Sequence, residues 1–238
     1  MKKVIVTGGS RGIGAECVRM FAKNGYAVSF IYNNSDVRAR EIEEETGAKA
    51  YKCDVKNSDM LENIIEKAIA EMGGVDVLVN NAGIAFVRLF GETSNEDVER
   101  VLSTNLVSSI VAARTVSRHM VRAHFGRIIN IGSVWGKVGA SMEVVYSVSK
   151  AGIEGLTKAL AKELGPSGIT VNCIEPGVID TEMNGCIEGE ALAALEDETP
   201  LCRMGTTKDI AEAVLWLASD KASFVTAQML GVDGGFGA

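Results

Sequence analysis

Near its start the chain reads KKVIVT, followed at once by GGSRGIG, and this junction constrains the fold more than any other stretch. KKVIVT is a strand-length run rich in β-branched side chains. The glycines break it, and an amphipathic helical pattern then runs from about Ile13 to Asn24 and stops at Gly25. Glycines at 8, 12 and 14 permit a tight turn and a close backbone approach to a ligand. The helix that starts there presents free N–H groups and a partial positive charge, which suits phosphate. A strand that enters a helix through such a turn starts a βαβ unit, with a dinucleotide crevice at the strand's carboxyl end.

The rest of the chain repeats that alternation. AVSFIY, Ala48 to Cys53, VDVLV, RIINIG, ITVNCIE and QMLGV read as strands. Between them lie helical patterns over Asp36 to Thr46, Ser58 to Met72, about Asn95 to Ala123, a helix through Tyr146 and Lys150 to about Leu164, and Thr207 to Ser219. Strands regularly separated by helices predict an α/β fold: one Rossmann-type domain over residues 1–238, with a doubly wound parallel sheet of about seven strands and helices on both faces. With 238 residues, 47% of them hydrophobic, there is ample material for such a core. Residues 183–205 are Glu- and Ala-rich with weak helical periodicity. They read either as a lid over a substrate pocket or as a helical surface excursion.

The charge balance narrows the partners. Twenty-four Lys and Arg against thirty-one Asp and Glu leave a net charge of −7, which argues against nucleic acid or an anionic membrane. Apolar runs are strand-length, too short to span a bilayer. MKKVIVTGG lacks the pattern of a signal peptide, so a cytoplasmic protein is expected. Five cysteines with no C-x-x-C pair read as free thiols of a reducing compartment. His119 and His124 are splayed on a helix with no accompanying cluster, so no metal site is expected.

Which dinucleotide binds is read at the end of the second strand. An NAD site places a carboxylate there to bond the ribose 2′-hydroxyl. Here the strand ends Tyr32-Asn33-Asn34, and the first acid is Asp36. Arg11 inside the glycine turn, with Arg38 a second cation, suits a 2′-phosphate instead, so NADP(H) is favoured over NAD(H). Asp36 folding back onto the ribose is the competing reading. Farther along, YSVSK puts a phenol and an ammonium at Tyr146 and Lys150, an i, i+4 spacing that faces both tips to one side of a helix. Alone, that pair reads as either a solvated surface pair or a proton-handling pair.

TGGSRGIG, CDV at 53–55, NNAG at 80–83, Asn105, Ser133, YSVSK and PGVIDT at 176–181 occur in this order along essentially the whole chain. The ordered set resembles the short-chain dehydrogenase/reductases, and within them most nearly the β-ketoacyl-[acyl-carrier-protein] reductases. The resemblance implies NADPH-dependent reduction of a 3-oxoacyl thioester, possible docking of an acyl carrier protein, and a homotetramer built on the long helix and the Tyr-bearing helix. It implies that Asn105, Ser133, Tyr146 and Lys150 are catalytic. It also implies a cofactor site made of Gly8, Gly9, Ser10, Arg11, Gly12, Ile13 and Gly14 at the phosphates, with Asn33 near the 2′-phosphate. Asp54 and Val55 would flank the adenine, Asn81, Ala82 and Gly83 the ribose, and Pro176, Gly177, Ile179 and Thr181 the nicotinamide, with Tyr146 and Lys150 also touching the cofactor.

On that assignment, a lysine about 5 Å from the phenol at an effective dielectric near 20 favours the phenolate by roughly 3 kcal/mol, or about two pKa units. Asn105 would anchor a water for proton exchange with Lys150. Arg118, Arg122 and Arg127 could receive an acidic carrier or form a plain solvated face, while His124 and Ser167 stand where such reductases often carry arginine. The segments 141–145 and 183–195 read as an apolar pocket, open equally to an acyl chain, a sugar, a steroid or a small ketone. A non-catalytic dinucleotide-binding sensor is the alternative of a different class.

Overall fold

A computed structural model describes residues 1–185 and 189–237. Cys186, the rest of 186–188 within the expected lid, and Ala238 lie outside the described residues. In chain order the elements are β1 (Lys3–Thr7), α1 (Gly12–Lys23), β2 (Ala27–Tyr32), α2 (Asp36–Thr46), β3 (Lys49–Lys52), α3 (Ser58–Met72) and β4 (Val77–Asn80). Then follow α4 (Asn95–Leu102), a π-helical turn (Ser103–Val107), α5 (Ser108–Ala123), β5 (Gly126–Ile131), α6 (Val134–Val138), α7 (Val144–Leu164) and β6 (Ile169–Pro176). The chain ends with α8 (Gly189–Glu198), α9 (Thr207–Ala218) and β7 (Met229–Val232).

Seven strands pair in the order β3-β2-β1-β4-β5-β6-β7, and every pairing is parallel. The period-2 alternation of each strand divides its side chains between two layers. Val4, Val6 and Phe30 meet Phe21, Val214 and Leu217 of α1 and α9 on one face. Ile5, Ile31 and Leu78 meet Leu61, Ile65, Val116 and Met120 of α3 and α5 on the other, with Leu164 of α7. The strand order reverses between β1 and β4, so the crevice of the doubly wound sheet opens at Thr7 and Asn80.

The long helical region expected over 95–123 is not one α-helix. Residues 103–107 widen into a π turn, and three hydroxyls bond back one turn there: Thr104 to the Arg100 carbonyl at 2.7 Å, Ser108 to Thr104 at 2.6 Å and Ser109 to Asn105 at 3.4 Å. Such back-bonding competes with the regular ladder and bends a helix. The turn carries Asn105 inward to 1% exposure. Helix α6 was not expected either; it is a five-residue turn capped by Ser133.

One charge in the core makes a stability prediction. Glu175, near the end of β6, is 6% exposed and faces Glu154 of α7. Burial, the charge of Glu154 and a hydrogen bond to it push the Glu175 carboxyl above its ordinary range, against the weaker pull of Lys137 and Lys158. One oxygen of each carboxyl has no hydrogen-bond partner. Because the folded-state pKa is raised, the stability contribution is present at low pH and is lost as pH rises through that value. Glu175→Gln is therefore expected to raise the melting temperature by about 3 °C or more at pH 8 and by little at pH 5. Equal shifts at the two pH values, measured by calorimetry, would rule this out.

Candidate active site

The glycine turn is locked by its neighbours. Gly8 and Gly12 have φ of 70° and 52°, in the left-handed region. A Cβ on Gly14 would lie 2.2 Å from the Gly8 carbonyl oxygen and 2.4 Å from Asn81 Nδ2, so no other residue fits there. Asn81 Nδ2 donates to the Thr7 and Gly8 carbonyls at 3.0 and 3.1 Å, and the Asn81 and Ala82 N–H groups donate to Thr7 Oγ1 at 3.0 and 3.1 Å. The ends of β1 and β4 are thus tied together at the crevice. Asn80 works beneath them, donating to Asn130 Oδ1 at 2.9 Å, and Asn130 in turn donates to Thr157 Oγ1 at 2.8 Å. Thr7, Asn130 and Thr157 carry no motif signal; only the inward turn of polar side chains within apolar strands hints at them.

Around this turn the other expected cofactor residues gather. Gly9 lies against Phe30, where a Cβ would come within 2.6 Å of the Phe30 Cβ and 2.9 Å of its ring, and Ser10 is buried beside it. Ile13 packs on the core, Asn33 is exposed at the end of β2, and Val55 is buried. Asp54 Oδ1 accepts the Lys56 N–H at 3.1 Å, so it caps the turn after β3 while staying half-buried. Asp36 is paired in this structure: Lys52 and Tyr32 hold its carboxylate at 2.7 and 3.1 Å and draw its pKa down. Arg11 and Arg38 flank a cleft of about 480 Å³ whose wall also includes Ser10, Gly12 and Thr181.

The loop 176–181 is buttressed from the C-terminus. The Gly177 N–H donates to the Val232 carbonyl at 3.3 Å, and a Cβ on Gly177 would strike Asp233 at 2.8 Å. Ile179 is buried and forms a bridge with Gly205. Asp233 accepts the N–H groups of Gly235 and Gly237 at 2.9 and 3.0 Å, which folds the tail back on this loop. These supports are remote in sequence and were not anticipated.

Asn105, Ser133, Tyr146 and Lys150 come from three places in the chain, Tyr146 and Lys150 sharing α7, and meet at the carboxyl ends of β4 and β5. Asn105 Oδ1 accepts the Ile84 N–H at 2.8 Å, and its Nδ2 donates to the Ile84 carbonyl at 3.0 Å and Ser149 Oγ at 3.1 Å. The carboxamide thereby pins the 81–84 loop to α7. Ser133 Oγ accepts the Trp135 N–H at 3.2 Å, which leaves the hydroxyl proton available to donate. Lys150 is 5% exposed; its Nζ donates to the Ile131 carbonyl at 2.8 Å and lies 5.7 Å from the Tyr146 ring centre.

The electrostatics depart from expectation. In the protein by itself, burial pushes the Tyr146 hydroxyl up to about 12; a hydrogen bond with Ser133 opposes this and Glu143 adds to it. Burial also presses Lys150 down to about 8. Desolvation of both groups outweighs the through-space attraction reckoned from their spacing, because the pocket that brings them together also strips their water. The result is a neutral phenol beside a lysine close to its titration point. Glu143, its own carboxyl raised by burial, also makes the 141–145 wall less apolar than the sequence implied.

Glycines a Cβ would overfill, a helix N-terminus and a pair of arginines fit a dinucleotide phosphate, and the half-buried Tyr146 with buried Lys150 and Ser133 fits proton transfer beside it. A family model described as enoyl-(acyl carrier protein) reductase matches residues 8–237. A short-chain dehydrogenase/reductase from Serratia marcescens superposes with a TM-score of 0.93 at 38% identity, covering 100% of this chain and 98% of that one. The chain belongs to the short-chain dehydrogenase/reductase family. It is an NAD(P)-dependent oxidoreductase acting on a carbonyl or hydroxyl group. Similar curated members are the 3-oxoacyl-[acyl-carrier-protein] reductases FabG of Chlamydia pneumoniae, 40% identical over 98% of this chain and 96% of that protein, and of Staphylococcus aureus (strain MW2), 38% identical over 98% and 97%. A dehydrogenase/reductase of Sinorhizobium meliloti also matches, with a TM-score of 0.92 at 39% identity over 100% of this chain and 95% of that one.

Of the three arginines on and after α5, Arg127 is not available at the surface. Arg127 is 4% exposed, donates to the Gly126 carbonyl at 2.9 Å and stacks 4.5 Å from the Phe125 ring centre. Arg118 is paired with Glu62 at 2.9 Å, and Arg122 is exposed. No helix among the described residues is long and apolar enough to cross a membrane.

Proposed function

We propose that this enzyme reduces a 3-oxoacyl thioester to the 3-hydroxyacyl thioester with NADPH, the acyl group being carried by acyl carrier protein. The observation that carries this reading is the placing of the half-buried Tyr146 beside buried Ser133 and Lys150, with Lys150 Nζ 5.7 Å from the Tyr146 ring centre. Reduction requires a proton donor, and a phenol pushed up to about 12 is one throughout the neutral range. The names of the curated relatives supply the substrate class.

Residues 8–14 would hold the pyrophosphate and Arg11 with Arg38 the 2′-phosphate. Asn33 would stand near that phosphate, Asp54 and Val55 beside the adenine, Asn81 to Gly83 along the ribose, and Pro176, Gly177, Ile179 and Thr181 over the nicotinamide. A nicotinamide held there would supply the hydride for the carbonyl carbon. Tyr146 gives its proton to the oxygen that becomes the alcohol, while the Ser133 hydroxyl donates a hydrogen bond to that oxygen as its charge grows. Lys150 supports the phenolate left behind and returns a proton to it. Asn105 is a positioning residue, since its hydrogen bonds hold the loop that walls Lys150.

A homotetramer in the cytoplasm accompanies this reading. Val107 on the π turn, Ile110 on α5, and Val144 and Val148 on α7 are exposed apolar side chains. Ala151, Gly155 and Ala159 are open on α7, whereas Gly152 is already used within the chain: a Cβ there would meet Leu106 at 2.7 Å. Residues 183–205 are assigned as the lid on the acyl pocket.

The test follows the loss of reduced-nicotinamide absorbance with acetoacetyl-CoA, NADPH and NADH being run in parallel. Rapid NADPH loss with little NADH loss is expected. Turnover of sugars, steroids or diketones but not of acetoacetyl-CoA would overturn the thioester assignment, and silence with every carbonyl and both cofactors would overturn catalysis.

A further inference from the structure

Glu182 lies between the two arginines proposed to receive the 2′-phosphate. Its Oε1 is bonded by Arg38 Nη1, and its Oε2 is 3.9 Å from Arg11 Nη1. Arg11 belongs to the glycine turn and Arg38 to the first turn of α2, 27 positions apart by their numbers, whereas Glu182 arrives from the loop after β6. Its neighbour Thr181 crosses the start of α1, 3.6 Å from where a Gly12 Cβ would stand. Glu16 and Glu41 line the same cleft, yet among the described residues neither pairs with Arg11 or Arg38.

A carboxylate and a phosphate offer a guanidinium the same acceptor geometry, so one anion held by two arginines occupies the position in which the other would be held. We infer that Glu182 is a tethered stand-in for the cofactor 2′-phosphate, one that the phosphate must displace, and that it sets the enzyme's affinity for phosphorylated against unphosphorylated dinucleotide. The inference rests on the NADP(H) assignment made above. A cofactor without the 2′-phosphate binds with the Glu182 contacts in place and gains nothing from Arg38. A phosphorylated cofactor gains both arginines and loses both Glu182 contacts, because the carboxylate cannot remain beside a second anion.

The experiment titrates wild type and Glu182→Gln with NADPH, NADH and 2′,5′-ADP. Reduced-nicotinamide fluorescence reports the first two, and calorimetry reports the third. Glu182→Gln keeps the side chain's size and removes its charge. The expected result is NADPH and 2′,5′-ADP binding tightened about five- to tenfold, the scale of two half-exposed ion pairs, with NADH changed less than about twofold. Adding Arg38→Ala to Glu182→Gln should erase the gain. Unchanged or weaker 2′,5′-ADP binding in Glu182→Gln overturns the stand-in role, as does equal tightening of NADPH and NADH. The cofactor assignment fails separately, on wild type alone, if NADH binds as tightly as NADPH; 2′,5′-ADP still reports on Glu182 in that case.

Discussion

Tyr146→Phe should lower turnover by about 10²–10⁴-fold while leaving the dissociation constant for NADPH within about twofold of wild type. The substitution removes one oxygen from a ring that is otherwise held by packing, so the shape of the site persists and the proton donor does not. Ser133 remains able to donate through its own hydroxyl, since its oxygen is held by the Trp135 N–H. A residual rate from that hydrogen bond and from positioning is therefore expected. The pH profile adds a check. Because burial holds the phenol up to about 12, wild-type reduction should not fall between pH 6 and 8 through loss of the Tyr146 proton. Near-normal turnover in Tyr146→Phe would remove this residue from the mechanism, and a parallel collapse of cofactor binding would show that its role is structural.

Lys150→Met should abolish most turnover and change how stability depends on pH. The buried ammonium has its pKa pressed from 10.5 down to about 8. Between those values the unfolded chain binds more protons than the folded one, so wild-type stability rises with pH across that window. Below pH 8 the fold carries a burial cost of about 3 kcal/mol at this position. Methionine removes the cost but leaves the Ile131 carbonyl without its donor, a loss of about 1–3 kcal/mol. Urea denaturation of the two proteins without cofactor should show Lys150→Met close to wild type or slightly more stable at pH 7. Its standing relative to wild type should fall by about 2–3 kcal/mol by pH 10.5. A difference that stays constant across that range would mean that Lys150 is not a strained charge in this pocket.

Much of the fold was legible because its signals are local. Helices over Asp36–Thr46 and Ser58–Met72 and the strand Ala27–Tyr32 match their expected bounds, each being a periodic run between clear breakers. The break in the 95–123 region was not legible. Thr104, Ser108 and Ser109 suit a helix pattern, and only their back-bonds and the packing of Asn105 against Ile84 and Ser149 select the π turn. The grouping of Ser133, Tyr146 and Lys150 followed from ordered motifs, but the sign of the Tyr146 shift did not. A through-space attraction can be reckoned from an i, i+4 spacing, whereas desolvation depends on what covers the pair.

The sequence by itself determined the parallel doubly wound sheet and the place of its crevice, because strand and helix periods and the glycine turn between them are properties of neighbouring residues. It also determined which side chains could carry proton transfer, since few residue types have that chemistry. Tertiary structure alone decided which of the charged groups are available. Arg127 is spent inside the sheet, Asp36 is held by Tyr32 and Lys52, and Glu182 reaches Arg11 and Arg38 from the far end of the chain. Burial and pairing are made by residues distant in sequence, and these set both the charge of a group and its freedom to meet a ligand.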